Sequence, residues 1–202
     1  TWGTGIVLLY VIYWAGGMMP EDFTSNELTG ESANMSIHIL LLFTFVAVFL
    51  YDALYKSPLA SNVRAVTAVS FLLITAYVFA MQNLGGFEYR AVNIHLGALF
   101  GTNMAFNVWF RIWPAQQKII TSIKNGEAPD GSLLALAGLR SKHNTYMSVP
   151  LVWTMHNQHH VTAPTALGIP GEFSWVLPMV MVILGWHIVW QLYKKSASIK
   201  GF

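Results

Sequence analysis

Residues 37–54 read IHILLLFTFVAVFLYDAL. A soluble amphipathic helix would show a polar face repeating every 3.6 positions, and this run has none. It is also close to the length that crosses a hydrocarbon core of about 30 Å. Lipid is therefore the solvent this stretch is built for, and the rest of the chain agrees. The chain has 202 residues, of which 54% are hydrophobic and only 10% charged, well below the roughly one quarter charged residues of a soluble domain.

Working outward, six apolar segments can be marked at roughly 2–19, 35–56, 62–83, 89–113, 143–160 and 173–193. Each must be a helix in lipid, because an unpaired backbone amide there costs several kcal/mol. Pro20 with EDFTSNELTGESAN, SPLASN, NLGGFE, GEAPDGS and TAPTALGIPGE punctuate the sequence between them, GEAPDGS breaking a long loop after the fourth. The expected fold is an all-α integral membrane protein. It forms a single domain over 1–202, a bundle of about six transmembrane helices. WPAQQKIITSIKNG adds a short helix with Ile119, Ile120 and Ile123 on one side, read either as interfacial or as an ordinary surface helix.

If the helix ends alternate sides, one face receives Lys56, Arg64, Arg111, Lys118, Lys124, Arg140, Lys142, Lys194, Lys195 and Lys200, and the other only Arg90. The acidic residues Glu21, Asp22, Glu27, Glu31, Glu88 and Glu172 fall opposite. That asymmetry predicts a multi-pass protein with its Lys/Arg-rich loops and both Thr1 and Phe202 on the cytoplasmic side. No basic patch interleaved with aromatics suggests nucleic acid. Cysteine is absent, which excludes iron–sulfur clusters, covalent haem c and a thiol nucleophile within the chain. A bound metal or haem would need His, Met, Asn, Tyr or carboxylate ligands.

The seven histidines sort by depth. His38, His95, His156, His159 and His160 lie towards the outer surface, His143 at the cytoplasmic mouth of the fifth segment, and His187 in the inner part of the sixth. An ionisable residue inside a membrane segment is a functional candidate by default, although histidines at a helix end also serve as caps. His143 and His159 are about 24 Å apart along a helix and cannot share a site. His156, His159 and His160 could share one metal. A bis-histidine haem b needs two imidazoles at one depth on facing helices. The outer layer offers His95 with His159, His38 or His156, and the inner layer offers His143 with His187. One or two haems are compatible with this, with His95, His159 and His187 the first choices for iron. Gly97 and Gly101 form a G-x-x-x-G face for a close neighbour, backbone or macrocycle. Asn103 and Asn107 need hydrogen-bond partners across the bundle, and Pro150 should free the Tyr146 carbonyl and kink its helix.

Three ordered motifs then carry a resemblance. HLGALFGTNMAFNVWFRIWPAQ (95–116) is similar to H-x-G-A-x-x-G-T-x-M-A-x-N-V-x-F-x-I-x-P-x-Q of the urate oxidase N-terminal domain family, the membrane part of bacterial membrane-bound urate hydroxylases. RSKHNTYMSVP (140–150) resembles R-S-x-H-N-x-Y-x-x-x-P, and YDALYKSPLASN (51–62) resembles Y-D-x-L-x-x-S-P-L-x-x-N. The resemblance singles out His95, Asn107, Gln116, His143, Asn144, Tyr146, Pro150, His159 and His187; His38, His156 and His160 have no matching position. The family's S-N-H-Y-P is N-Q-H-H-V here, and its earlier helices and C-terminal cytochrome domain have no counterpart in this sequence. It implies a redox subunit of the bacterial inner membrane that passes electrons towards a c-type cytochrome or other subunits, either a urate hydroxylase-like oxidoreductase or a non-catalytic electron-transfer subunit. No catalytic residue is assigned. The alternative is a cofactor-free structural subunit of a membrane complex.

Overall fold

A computed structural model describes residues 2–15 and 35–199, and side chains from 38 onward in the second stretch. The acidic stretch 21–31, Pro20, Lys200 and both chain ends lie outside the described residues. Among those described, the chain is helical and contains no strand. The principal helices are α1 (Trp2–Leu9), α2 (Met35–Leu54), α3 (Val63–Asn83), α4 (Tyr89–Asn107), α5 (Trp113–Lys124), α6 (Gly131–Asn157), the single turn α7 (Ala163–Ala166) and α8 (Val176–Ser196). Two stretches, Val63–Asn83 and Gly171–Ser196, are long and apolar enough to cross a membrane, and Trp2–Ile12 and His38–Leu54 are shorter apolar helices.

α4 is the hub. It packs on α2 and α6, and α6 in turn packs on α8. Its buried face runs through Tyr89, Val92, His95, Leu96, Leu99, Phe100, Asn103 and Asn107, whereas α3 buries only Val66, Tyr77, Val78 and Met81. Small residues set the distances. A Cβ on Gly97 would lie 2.6 Å from Thr154 Oγ1, and one on Gly185 would lie 3.1 Å from the Pro150 ring. The G-x-x-x-G pair therefore splits: Gly97 is a contact with α6, while a Cβ on Gly101 would meet nothing within 4 Å. The outward surface stays apolar, with Leu42, Phe49, Leu72, Phe110, Val152 and Ile183 all exposed.

The fourth segment is helical to its expected end, but its last turn is a π-helical segment (Val108–Ile112) that joins α4 to α5 without a break. The loop that follows is shorter than the sequence suggests, because α6 begins at Gly131, twelve residues before the expected start. Pro114 supplies the reason for the π-helical turn. It has no N–H for the Phe110 carbonyl four residues back and its ring crowds that oxygen, so the helix widens locally. Arg111 Nη1 approaches the freed Phe110 oxygen at 3.3 Å. The early start of α6 follows from its cap: Asp130 Oδ1 accepts from the Ser132 amide at 2.8 Å. The α5 helix is present as expected, with Ile119 buried and Ile120 and Ile123 exposed.

Candidate functional site

Two polar clusters interrupt the apolar core, one near each end of α4. The one at the C-terminal end of α4, called the inner one and the other the outer, is built from all three motif stretches. Asp52, at the end of α2, holds three cations: Arg111 through Nε at 2.9 Å and Nη2 at 2.5 Å, Arg140 Nη2 at 3.0 Å, and Lys56 Nζ at 2.7 Å. Arg140 is 2% exposed. Its guanidinium lies over the rings of Tyr51 and Tyr55, 5.1 and 5.8 Å from their centroids. Removing water from that cation is costly, and the carboxylate together with two aromatic faces offsets the cost.

Beside the ion pairs runs a hydrogen-bond chain whose direction one backbone group decides. Met104 O can only accept, so the amide of Asn144 presents Nδ2 to it at 3.2 Å. Asn144 Oδ1 is thereby turned to accept from Asn107 Nδ2 at 2.8 Å. The second N–H of Asn107 donates to the Tyr51 hydroxyl oxygen at 2.8 Å. Tyr51 lies 2.8 Å from His143 Nδ1, and donation to that nitrogen is the arrangement that leaves the tyrosine proton satisfied. His143 therefore carries its own proton on Nε2. Its ring also packs on Tyr55, with centroids 4.3 Å apart.

The outer cluster has the opposite logic. Asn157 Nδ2 donates to the Tyr89 hydroxyl and, at 3.3 Å, to Asn93 Oδ1, which ties the end of α6 to the start of α4. One turn deeper, His95 is fully buried with Nδ1 2.8 Å from Ala91 O. A carbonyl only accepts, so this nitrogen bears the proton and Nε2 bears the lone pair. A neutral imidazole held in that way is the form that ligates a metal.

The sequence-predicted residues divide accordingly. Phe43, Ala47, Leu99 and Asn103 help line one small cavity of about 70 Å³ among α2, α3 and α4, and Tyr51 bonds Asn107. With α2 and α4 running in the same direction from that bond, Ile39 and His95 lie equally far back along their helices. His38, half-buried on α2, therefore falls within a residue of the His95 level. His159 does not: Asn157 already pairs with Tyr89 and Asn93, which places His159 roughly 9 Å farther out than His95 at 1.5 Å per residue. It sits on an exposed turn beyond α6. His187 is exposed on α8, 3.2 Å from the Gln191 side-chain amide and packed on Trp190. Asn103 is buried with Oδ1 meeting no donor, Gln116 is exposed on α5, and Tyr146 stacks on Tyr193 at 6.0 Å.

His95 thus carries the tautomer that a haem ligand needs, and His38 shares its level. A haem does not fit His143, whose Nδ1 is an acceptor and whose Nε2 is protonated, and His187 as oriented already receives an amide hydrogen. Among the described residues no three His, Asp or Glu side chains converge as a metal site. Asp52, Tyr51, Arg111 and Arg140 were not singled out as site residues from sequence. The available signal was a lone carboxylate at the end of an apolar run, facing a set of like-sided cations.

The family model described as urate oxidase N-terminal matches residues 1–200, and the chain belongs to that family. No curated protein and no solved structure matches it.

Proposed function

From membership in this family we propose that the chain is a multi-pass inner-membrane redox subunit that binds haem b in its outer half and passes electrons towards a c-type cytochrome. The observation that carries this reading is His95: fully buried, with its Nδ1 proton given to Ala91 and the ring lone pair on Nε2. His95 and His38 would hold the haem, and the haem would supply one-electron chemistry. The protein's own part is to fix the His95 tautomer and to keep water away, with Phe87 against its ring at 5.4 Å.

The six-segment topology, with the basic face cytoplasmic, belongs to the same proposal. It is supported by the exposed apolar residues that circle α2, α3, α6 and α8 and by ion pairs gathered at the end assigned to the cytoplasm. α5, with Ile120 and Ile123 outward, lies along that interface.

A reduced-minus-oxidised spectrum of the purified chain tests the reading. A haem b band is expected, lost in His95→Ala and in His38→Ala and retained in His143→Ala. A band indifferent to His95→Ala overturns the ligand assignment. A featureless spectrum moves the chain to the structural-subunit alternative. Turnover with urate and a cytochrome acceptor then separates an oxidoreductase from a carrier of electrons alone.

A further inference from the structure

The end of α6 carries a histidine pair that neither the family resemblance nor the haem reading uses. α6 stops at Asn157, but the backbone keeps a helix-like path for three more residues: His159 N bonds His156 O at 3.2 Å and His160 N bonds Asn157 O at 2.9 Å. His156 and His160 thereby keep an i, i+4 relation across the helix end. Their rings lie 4.8 Å apart between centroids, and the two Nε2 atoms point at one another at 3.2 Å. Both side chains are exposed.

A contact of this length is either an N–H···N hydrogen bond, with the proton on one ring, or two lone pairs turned towards a cation that lies beside the line between them. The spacing distinguishes which cation would suit. With metal–nitrogen bonds of about 2.0–2.1 Å, nitrogens 3.2 Å apart subtend about 100–106° at the ion. That is close to a tetrahedral angle and well above the 90° of adjacent square-planar positions.

We propose that His156 and His160 form a two-histidine clamp for a tetrahedral divalent ion of the zinc class at the outer end of α6. Bound there, the ion staples the last turn of the helix to the segment that follows. That segment runs straight into Val161, Pro164 and Thr165, which wall a shallow outer cleft together with Glu88 and Arg90. The clamp therefore sets the position of one wall of that cleft. The two remaining coordination positions are left to water or to an acidic side chain of a partner.

The test uses the full chain, purified in detergent without a histidine tag, titrated with zinc against a chromophoric chelator. One zinc per chain is expected, weakened about tenfold or more in both His156→Ala and His160→Ala and unchanged in His159→Ala. Cobalt substitution should give the intense visible bands of a tetrahedral site in the wild type and in His159→Ala only. Thermal unfolding of each variant without metal checks that loss of binding is not loss of fold. Zinc binding that survives both substitutions, or that depends on His159 instead, overturns the clamp, as does the lack of any zinc that competes with the chelator.

Discussion

His95 and His143 are both held in the interior by a hydrogen bond to Nδ1, and they end up as opposite chemical species. The carbonyl of Ala91 makes the His95 nitrogen a donor. The chain from Met104 through Asn144, Asn107 and Tyr51 makes the His143 nitrogen an acceptor. On Nε2 one ring carries a lone pair and the other a proton. Which residue carries a histidine's second bond decides what the first can do, and counting histidines by depth cannot reveal it.

The ion pairs give the largest expected difference between the two ends. Asp52→Asn leaves Arg140 buried without a countercharge and should cost about 3–5 kcal/mol in detergent unfolding. Asn157→Ala, at the outer cluster, removes only neutral bonds and should cost about 1–3 kcal/mol. Equal losses at the two sites would erase the distinction. Next come the glycines: Gly97→Ala forces a methyl against Thr154, whose hydroxyl is itself tied to Leu151 O at 2.7 Å, and should cost about 1–3 kcal/mol. Gly101→Ala should be neutral or stabilising by up to about 1 kcal/mol, and a penalty there would mean the space beside it is filled.

Tyr51→Phe sharpens the comparison directly. It frees His143 Nδ1, so nitrogen-15 NMR should show the His143 tautomer changing while His95 keeps its own; a His143 that is already protonated at Nδ1 in the wild type would refute the chain's direction. The smallest effect is at the α6 cap, where the Ser132 amide holds the Asp130 carboxyl below the usual carboxylate range. A depressed folded value contributes stability that is present above the unfolded value and lost as the pH falls through the folded one. Acid titration of unfolding should show that slope in the wild type and a shallower one in Asp130→Ala.

The helical class and most helix positions were legible because long apolar runs need no partner to identify them. The inner cluster was not, although all its residues lie in the quoted motifs. Asp52 and Arg140 are separated by 88 positions, and spacing along one helix says nothing about which helices meet. The unbroken join of α4 to α5 through a π-helical turn at residues 108–112 was signalled only by Trp113-Pro114, read from sequence as the start of a separate helix. Pro150 behaved differently. α6 runs through it, and its ring serves as the surface against which Gly185 lets α8 approach.

The buried Arg140 also bears on how such a chain is made. On the membrane reading it lies just before the cytoplasmic mouth of its segment, where a basic residue favours the orientation that keeps this end inside. Synthesis from the N-terminus delivers Asp52 first, so the carboxylate is already waiting when α6 emerges.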